Sequence, residues 1–305
     1  PKSNRMKKTC HTCICCKKSE FSTVYQGPIR SGSFGKVSEE SYSVLECLGC
    51  NLKFLDPVPL IDYELDEYRL SYNDSCQEQD YLRMHDHEQN ERLQRIGVEN
   101  FRGKTILDFG CGGGSFLDCI KGLAAKTIAV EPYSGFHAGL LARGHEVFSS
   151  ASEAIDLYSN RIDILISFGV IEHTENPLVY LEQAKSFLSE SGKLFLETDN
   201  SDDFLMQLDL PEFKKFFYRT AHYWYFDPKS MMEILKVAGF TNPTVDFRHN
   251  YDLSNAFMWM KDKIPTGTGS LVNISKNCDL SWKNFLEQSG QADLLFCSCE
   301  KKSTL

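Results

Sequence analysis

No stretch of the 305-residue sequence approaches the roughly 18 consecutive apolar residues that a membrane-crossing helix needs; even Ile162–Ile171 is interrupted by Asp163. The N-terminal Pro1–Lys8 carries charges with no apolar segment behind them, so no export signal is expected and a cytoplasmic location is. Positive charge is also scarce. Lys and Arg number 33 against 42 Asp and Glu, and the formal charge of −9 repels phosphate backbones, which disfavours nucleic acid as a partner. Internal repeats and low-complexity tracts are missing. With 42% hydrophobic and 25% charged residues the chain is expected to fold, as two domains or one large one.

Cysteine, by contrast, is plentiful, with 12 in all. In a chain that is not exported this favours reduced thiols and metal over a disulfide framework. Six fall in the first 50 residues: Cys10, Cys13, Cys15, Cys16, Cys47 and Cys50. Two CxxC knuckles bring four thiolates together, the donor set of a closed tetrahedral zinc site. Cys10/Cys13 and Cys13/Cys16 both have the spacing of the first knuckle. Cys13 and Cys16 are preferred because they lie closer to the strand-like Glu20–Tyr25, with Cys47 and Cys50 as the second pair. The competing reading is a cysteine-rich tail of free thiols.

Behind the second knuckle, two prolines in Phe54–Leu60 mark an extended exit. In the polar segment that follows, Leu82, His85, Gln89 and Leu93 recur at helical spacing, which predicts a helix. From Gly103 short apolar runs alternate with helical stretches, the pattern of βαβ units and a parallel sheet. Strands are expected at Thr105–Asp108, Thr127–Glu131, Glu146–Phe148, Ile162–Ser167 and Lys193–Thr198, with helices starting near Ser115, Gly135, Ser152 and Pro177. An aromatic segment, Phe213–Phe226, precedes a helix at Pro228–Ala238, and further strands are expected near Thr244–Phe247 and Asp293–Cys299.

The most informative segment is Ile106–Phe116, an apolar strand running through Gly110, Gly112, Gly113 and Gly114 into a helix. Glycines let the backbone approach a ligand, and the helix start presents free N–H groups. Glu131, at the end of the next strand, is placed to accept ribose hydroxyls. These features point to a nucleoside-containing cofactor. A strict GxGxxG fails at Ser115, and Asp108 stands two residues before the first glycine, where a carboxylate would repel a pyrophosphate but pair with an ammonium. S-adenosylmethionine, with an ammonium, a sulfonium and no phosphate, suits that charge better than NAD.

On these residues the segment from about 103 to 240 resembles class I S-adenosylmethionine-dependent methyltransferases. Leu107–Gly114 is similar to that family's first motif and Glu131 to its ribose-binding acid; Ser167–His173 resembles the segment lining the methyl-donor side, and Ser191–Glu197 the fifth strand. The resemblance implies a Rossmann-like α/β domain with a mostly parallel seven-stranded sheet and helices on both faces. It places Ser150 near the adenine, where the family often has an acid, and Phe168 on the cofactor side. His85 and His87 of the preceding helix are candidates to close over the cofactor. The whole chain resembles bacterial methyltransferases of sugar and polysaccharide pathways that carry a small N-terminal zinc domain. It implies a zinc-ribbon-like domain at 1–60, a helical connector or lid at 61–100 and the methyltransferase domain at 101–305. In the deoxysugar C-methyltransferases a tyrosine and a Glu-His pair follow the fifth strand. Tyr218 and His222 match, but Ala221 replaces the glutamate.

Methyl transfer needs alignment and, for a protic acceptor, one base. His222 is the first candidate, then His173 beside Glu172, with Tyr218 as a third member of the set. Lys214, Lys215 and Arg219 can hold a diphosphate or simply face water; the surrounding aromatics can stack on a substrate or simply form core. The expected function is methyl transfer from S-adenosylmethionine to a small polar acceptor, a nucleotide-linked sugar or polysaccharide precursor. The alternatives are a ribosomal RNA methyltransferase, a cofactor-binding interaction protein without turnover and, more remotely, a dehydrogenase.

Overall fold

The computed structural model describes residues 12–59, 61–73, 76–267, 271 and 273–302. Among the described residues there are eleven strands. β1 (Phe21–Gly27), β2 (Tyr42–Cys47) and β3 (Lys53–Asp56) come first, then β4 (Thr105–Phe109), β5 (Lys126–Val130), β6 (Glu146–Phe148) and β7 (Ile162–Phe168). β8 (Leu188–Asp199), β9 (Trp224–Tyr225), β10 (Phe240–Arg248) and β11 (Leu294–Lys301) complete the set.

Seven strands make one sheet in the order β10-β11-β8-β7-β4-β5-β6. β4 pairs in parallel with both β5 and β7, and Leu107 lies opposite Ile128 on one side and Leu165 on the other, all three fully buried. Such largely apolar strands are what a sheet covered on both faces requires. From β4 the chain moves outward to β5 and β6, then crosses back to β7 on the opposite side of β4. That reversal opens a crevice at the carboxyl ends of β4 and β7, the general ligand position of open α/β sheets. The arrangement is the Rossmann-like fold of class I methyltransferases.

Local chemistry sets the helix starts. Ser150 Oγ accepts the Glu153 N–H at the head of Ala151–Tyr158, and Asn176 Oδ1 accepts from Leu178 and Val179 ahead of Pro177–Phe187, with a proline at the first turn. The single helix expected through Leu82–Leu93 is instead two, Glu78–His85 and Gln89–Ile96, joined by a tighter 3₁₀ turn at Asp86–Glu88. Gln89 Nε2 donates to the His85 carbonyl at 2.8 Å, and Asp and His in the turn are weak helix formers.

By contacts the chain forms two units, each assembled from separate segments. Residues 1–60, 197–234 and 245–296 make the first; 61–196, 235–244 and 297–305 make the second. A change of unit falls at 60/61, and residues 101–305 contribute to both units. In the first unit β1, β2, β3 and β9 form a second, antiparallel sheet, with Phe54 opposite Trp224. The aromatic segment thus supplies a strand to the cysteine-rich sheet. Its core gathers Ile29, Val44, Leu55, Phe213, Tyr225 and Trp259.

The same unit holds a buried ion pair. Arg248 Nε and Nη2 donate to Glu197 Oε2 and Oε1 at 2.6 and 2.9 Å, and both side chains are at most 2% exposed. Removing one partner leaves an uncompensated buried charge. Glu197→Ala is expected to lose about 3–5 kcal/mol in urea unfolding; a loss below about 1 kcal/mol would mean that the pair is not closed in solution.

Candidate functional site

The two cysteine knuckles fold alike. In the first, the Lys17 N–H donates to the Cys13 carbonyl at 3.0 Å; in the second, the Asn51 N–H donates to the Cys47 carbonyl at 2.8 Å. Lys17 and Asn51 both sit at positive φ (64° and 66°), the turn that aims two thiols the same way. The four sulfurs of Cys13, Cys16, Cys47 and Cys50 lie within 4.8 Å of one another. Cys13–Cys50 and Cys16–Cys47 approach to 3.5 and 3.4 Å. Zinc bound at about 2.3 Å by four thiolates sets its sulfurs about 3.8 Å apart, so the set fits that ion. Burial pushes the Cys50 thiol up to about 12 and raises Cys13 likewise, so ionising them calls for a cation. Cys15 is buried but stands outside the four, and Cys10 and His11 lie outside the described residues.

In the second unit the glycine turn follows β4 into the crevice. Gly110 and Gly112 adopt φ of +87° and +55°. A Cβ on Gly110 would meet Val170 Cγ2 at 2.6 Å, and one on Gly112 would meet the Tyr81 hydroxyl at 2.1 Å, so neither position has room for a side chain. Gly114 begins Ser115–Ile120 in the left-handed region. Glu131, 4% exposed, accepts the Gly112 N–H at 2.7 Å through Oε2 and the Tyr133 N–H at 2.9 Å through Oε1. The predicted acid is therefore fastened to the predicted turn.

Asp108 is 4% exposed. Burial pushes its carboxyl up to about 8, Arg92 pulling it down and Glu131 raising it further. A carboxyl whose ionised form is penalised by burial is one that a ligand cation would stabilise.

The connector helices cover the turn with groups that the sequence did not single out. Tyr81 lies over Gly112 and Gly113 and stacks on His85 at 4.2 Å. Burial, helped by Arg92, Arg69 and His87, lowers His85 to about 4, so it is neutral at physiological pH. Arg69 pairs with Glu131 Oε1 at 3.3 Å and is ringed by Tyr68, Tyr81, Tyr133 and Phe136, within 5.8 Å of each ring. A lone arginine in an acidic helix carries no motif, and its role emerges only from the fold.

His87 is exposed in the 3₁₀ turn, and His85 packs on Tyr81. The Ser150 hydroxyl caps a helix. Phe168 ends β7 with the Arg92 guanidinium 4.7 Å above its ring, and His173 meets Tyr63 edge-on at 5.3 Å.

In the first unit, His222 is 4% exposed and its Nδ1 lies 3.3 Å from Asp199 Oδ2. Asp199 also pairs with Arg219. Burial alone would raise Asp199, but Arg219, His222 and Arg30 hold it well below the carboxylate range. Tyr218, 1% exposed, is packed between Tyr25 and Tyr225 at 5.2 and 5.0 Å, a core position. Of the aromatic segment, Phe213, Phe217, Tyr223, Trp224, Tyr225 and Phe226 are buried as well. Arg219 is ion-paired and Lys214 pairs with Asp209.

Residues 81–245, more than half of the chain, match the family model of a methyltransferase domain. The chain belongs to that family. Among curated proteins it is 25% identical over 150 residues to the ubiquinone biosynthesis O-methyltransferase of Cereibacter sphaeroides, covering 46% of this chain and 61% of that one. The chain thus spans about three fifths of the length of such relatives. A structure of an S-adenosylmethionine-dependent methyltransferase from Archaeoglobus fulgidus superposes with a TM-score of 0.51 at 18% identity, over 73% of this chain and 97% of that one. The phosphoethanolamine N-methyltransferase 2 of Haemonchus contortus, solved with phosphomonomethylethanolamine and S-adenosylhomocysteine, gives 0.51 at 15% identity, over 82% and 62%. Both show the fold.

Proposed function

We propose that the chain transfers the methyl group of S-adenosylmethionine to a small polar acceptor, a nucleotide-linked sugar or polysaccharide precursor. The observation that carries the cofactor choice is Asp108: a buried carboxyl with a raised pKa, beside a glycine turn, favours an ammonium and repels a pyrophosphate. The cofactor, when bound, supplies a methyl on a sulfonium, whose sulfur leaves with the bonding electron pair.

The residues would then act as follows. Asp108 holds the ammonium, Glu131 accepts the ribose hydroxyls, and the glycine turn admits the nucleoside. Tyr81 and His85 close the site from the connector, with Phe168 and His173 on the donor side. His222 takes the proton that the acceptor releases as its new bond to the methyl carbon forms. Asp199 orients the imidazole and stabilises it once it is protonated. The sugar-pathway acceptor rests on the resemblance of the whole chain and on the four-cysteine cluster, which is assigned a structural zinc. The formal charge of −9 argues against RNA.

Methyl-labelled S-adenosylmethionine incubated with parallel pools of nucleotide sugars and of ribosomal RNA tests this directly. Label is expected in a sugar nucleotide, and His222→Ala should slow its appearance by about 10²–10⁴-fold. Label in RNA, or no label while the cofactor binds, would overturn the acceptor assignment.

A further inference from the structure

The first unit holds a cavity of about 170 Å³ whose lining, Asp199 apart, has no role above. A single water needs on the order of 10–15 Å³ by the same measure, so the space accepts roughly a dozen non-hydrogen atoms, one substituted six-membered ring. Phe216, Trp259 and Trp282 line it with flat apolar surface. Phe216 packs 5.0 Å from Trp259, and Phe204 meets Trp282 edge-on at 4.9 Å, so these rings are held by their neighbours.

The polar part of the lining is unbalanced. Asp199, Asp203, Asp252 and Asp293 contribute four carboxyl groups, and the only cationic side chains among the lining residues are Arg219 and, if protonated, His249. Arg219 is paired with Asp199. Asp293 Oδ1 accepts the Asn250 N–H at 2.8 Å and lies 3.0 Å from His249 Nδ1. That nitrogen also accepts the Asp293 N–H at 3.2 Å. Burial, against the pull of the Met206 N–H and with Asp293 and Asp199 adding to it, raises Asp203 well above the carboxylate range. Arg30 lies 4.2 Å over Phe216 and acts on Asp199, so the field that a cation in the cavity would relieve is chiefly that of Asp203 and Asp293, and the faces of Trp259 and Trp282 attract one as well. A phosphate would meet the carboxylates and be rejected.

We infer that this cavity binds a small ring bearing an ammonium group, held by the carboxylates at its polar end and by Phe216, Trp259 and Trp282 on its flat faces.

The test uses the full chain without cofactor and two shape-matched probes, cyclohexylammonium and cyclohexanol, titrated at pH 7.5 while tryptophan fluorescence is followed. Trp282→Phe identifies the signal from the cavity. The ammonium is expected to bind at least about tenfold more tightly than the alcohol. Asp293→Asn, which keeps an oxygen for the Asn250 N–H, should cut that preference at least about fivefold with an unchanged circular dichroism spectrum. Equal binding of the two probes, binding of neither, or a preference that Asp293→Asn leaves intact would overturn the inference. The wild-type comparison decides even if the variant fails to fold.

Discussion

Asp108→Asn is expected to abolish useful binding of S-adenosylmethionine while leaving the ligand-free protein at least as stable as the wild type. The two halves of that result have one cause. Asp108 sits at the end of a central parallel strand, where burial lifts its carboxyl from an ordinary 3.8 to about 8. A carboxyl raised in this way is most compatible with the fold when protonated. Its contribution to stability is full below about pH 4 and is progressively lost as the pH rises to about 8. The ligand-free wild type should therefore melt at lower temperature at pH 8 than at pH 5, and Asp108→Asn should flatten that part of the profile. With the ammonium present, the carboxylate is needed as its counter-charge, and removing one partner of a buried charged pair costs about 2–5 kcal/mol, a loss of roughly 30-fold or more in affinity. Calorimetric titration beside thermal melts reads both effects. Unchanged affinity would remove Asp108 from the site; a variant that melts earlier than the wild type at pH 8 would contradict the burial argument.

The second large effect is expected at the cysteine cluster. Cys47→Ser should reduce bound zinc from one ion per chain to none and lower the melting temperature by at least about 10 °C, since each kcal/mol shifts a domain of this size by about 2–4 °C and structural zinc contributes many. Cys47 is fully buried at the end of β2 and its carbonyl holds the second knuckle turn. Loss of the ion therefore loosens one end of the sheet that β9 joins. Elemental analysis and thermal melts in the presence and absence of a chelator check it. Zinc absent from the wild type, or a variant that melts as the wild type does, would contradict the assignment.

What the sequence shows and what it conceals divide along a physical line. Asp108, the glycines, Glu131 and the CxxC pairs were legible because their chemistry is local: a turn that needs positive φ, or two thiols one turn apart, is written in adjacent residues. The strands β4, β5 and β7 were legible for a similar reason, as short runs dominated by apolar residues. Arg69 and Tyr81 were not, because an arginine over Glu131 and a tyrosine over Gly112 are set by how helices 61–96 dock on the turn. The break at Asp86–Glu88 escaped because Leu82, His85, Gln89 and Leu93 keep helical spacing across a 3₁₀ turn. Tyr218 had a motif-like position, yet the packing of Tyr25 and Tyr225 around it is a property of the first unit's core. Residues 1–60 read as a separate ribbon because nothing in that segment announces that Trp224 and Tyr225 will pair with β3.

The most direct test of the account is equilibrium titration of the wild-type chain with S-adenosylmethionine and, in parallel, with NAD. Saturable one-to-one binding of S-adenosylmethionine with no detectable binding of NAD is the predicted result. Binding of NAD, or of neither, would contradict the reading of Asp108, Gly112 and Glu131 as a site for a cationic, phosphate-free nucleoside.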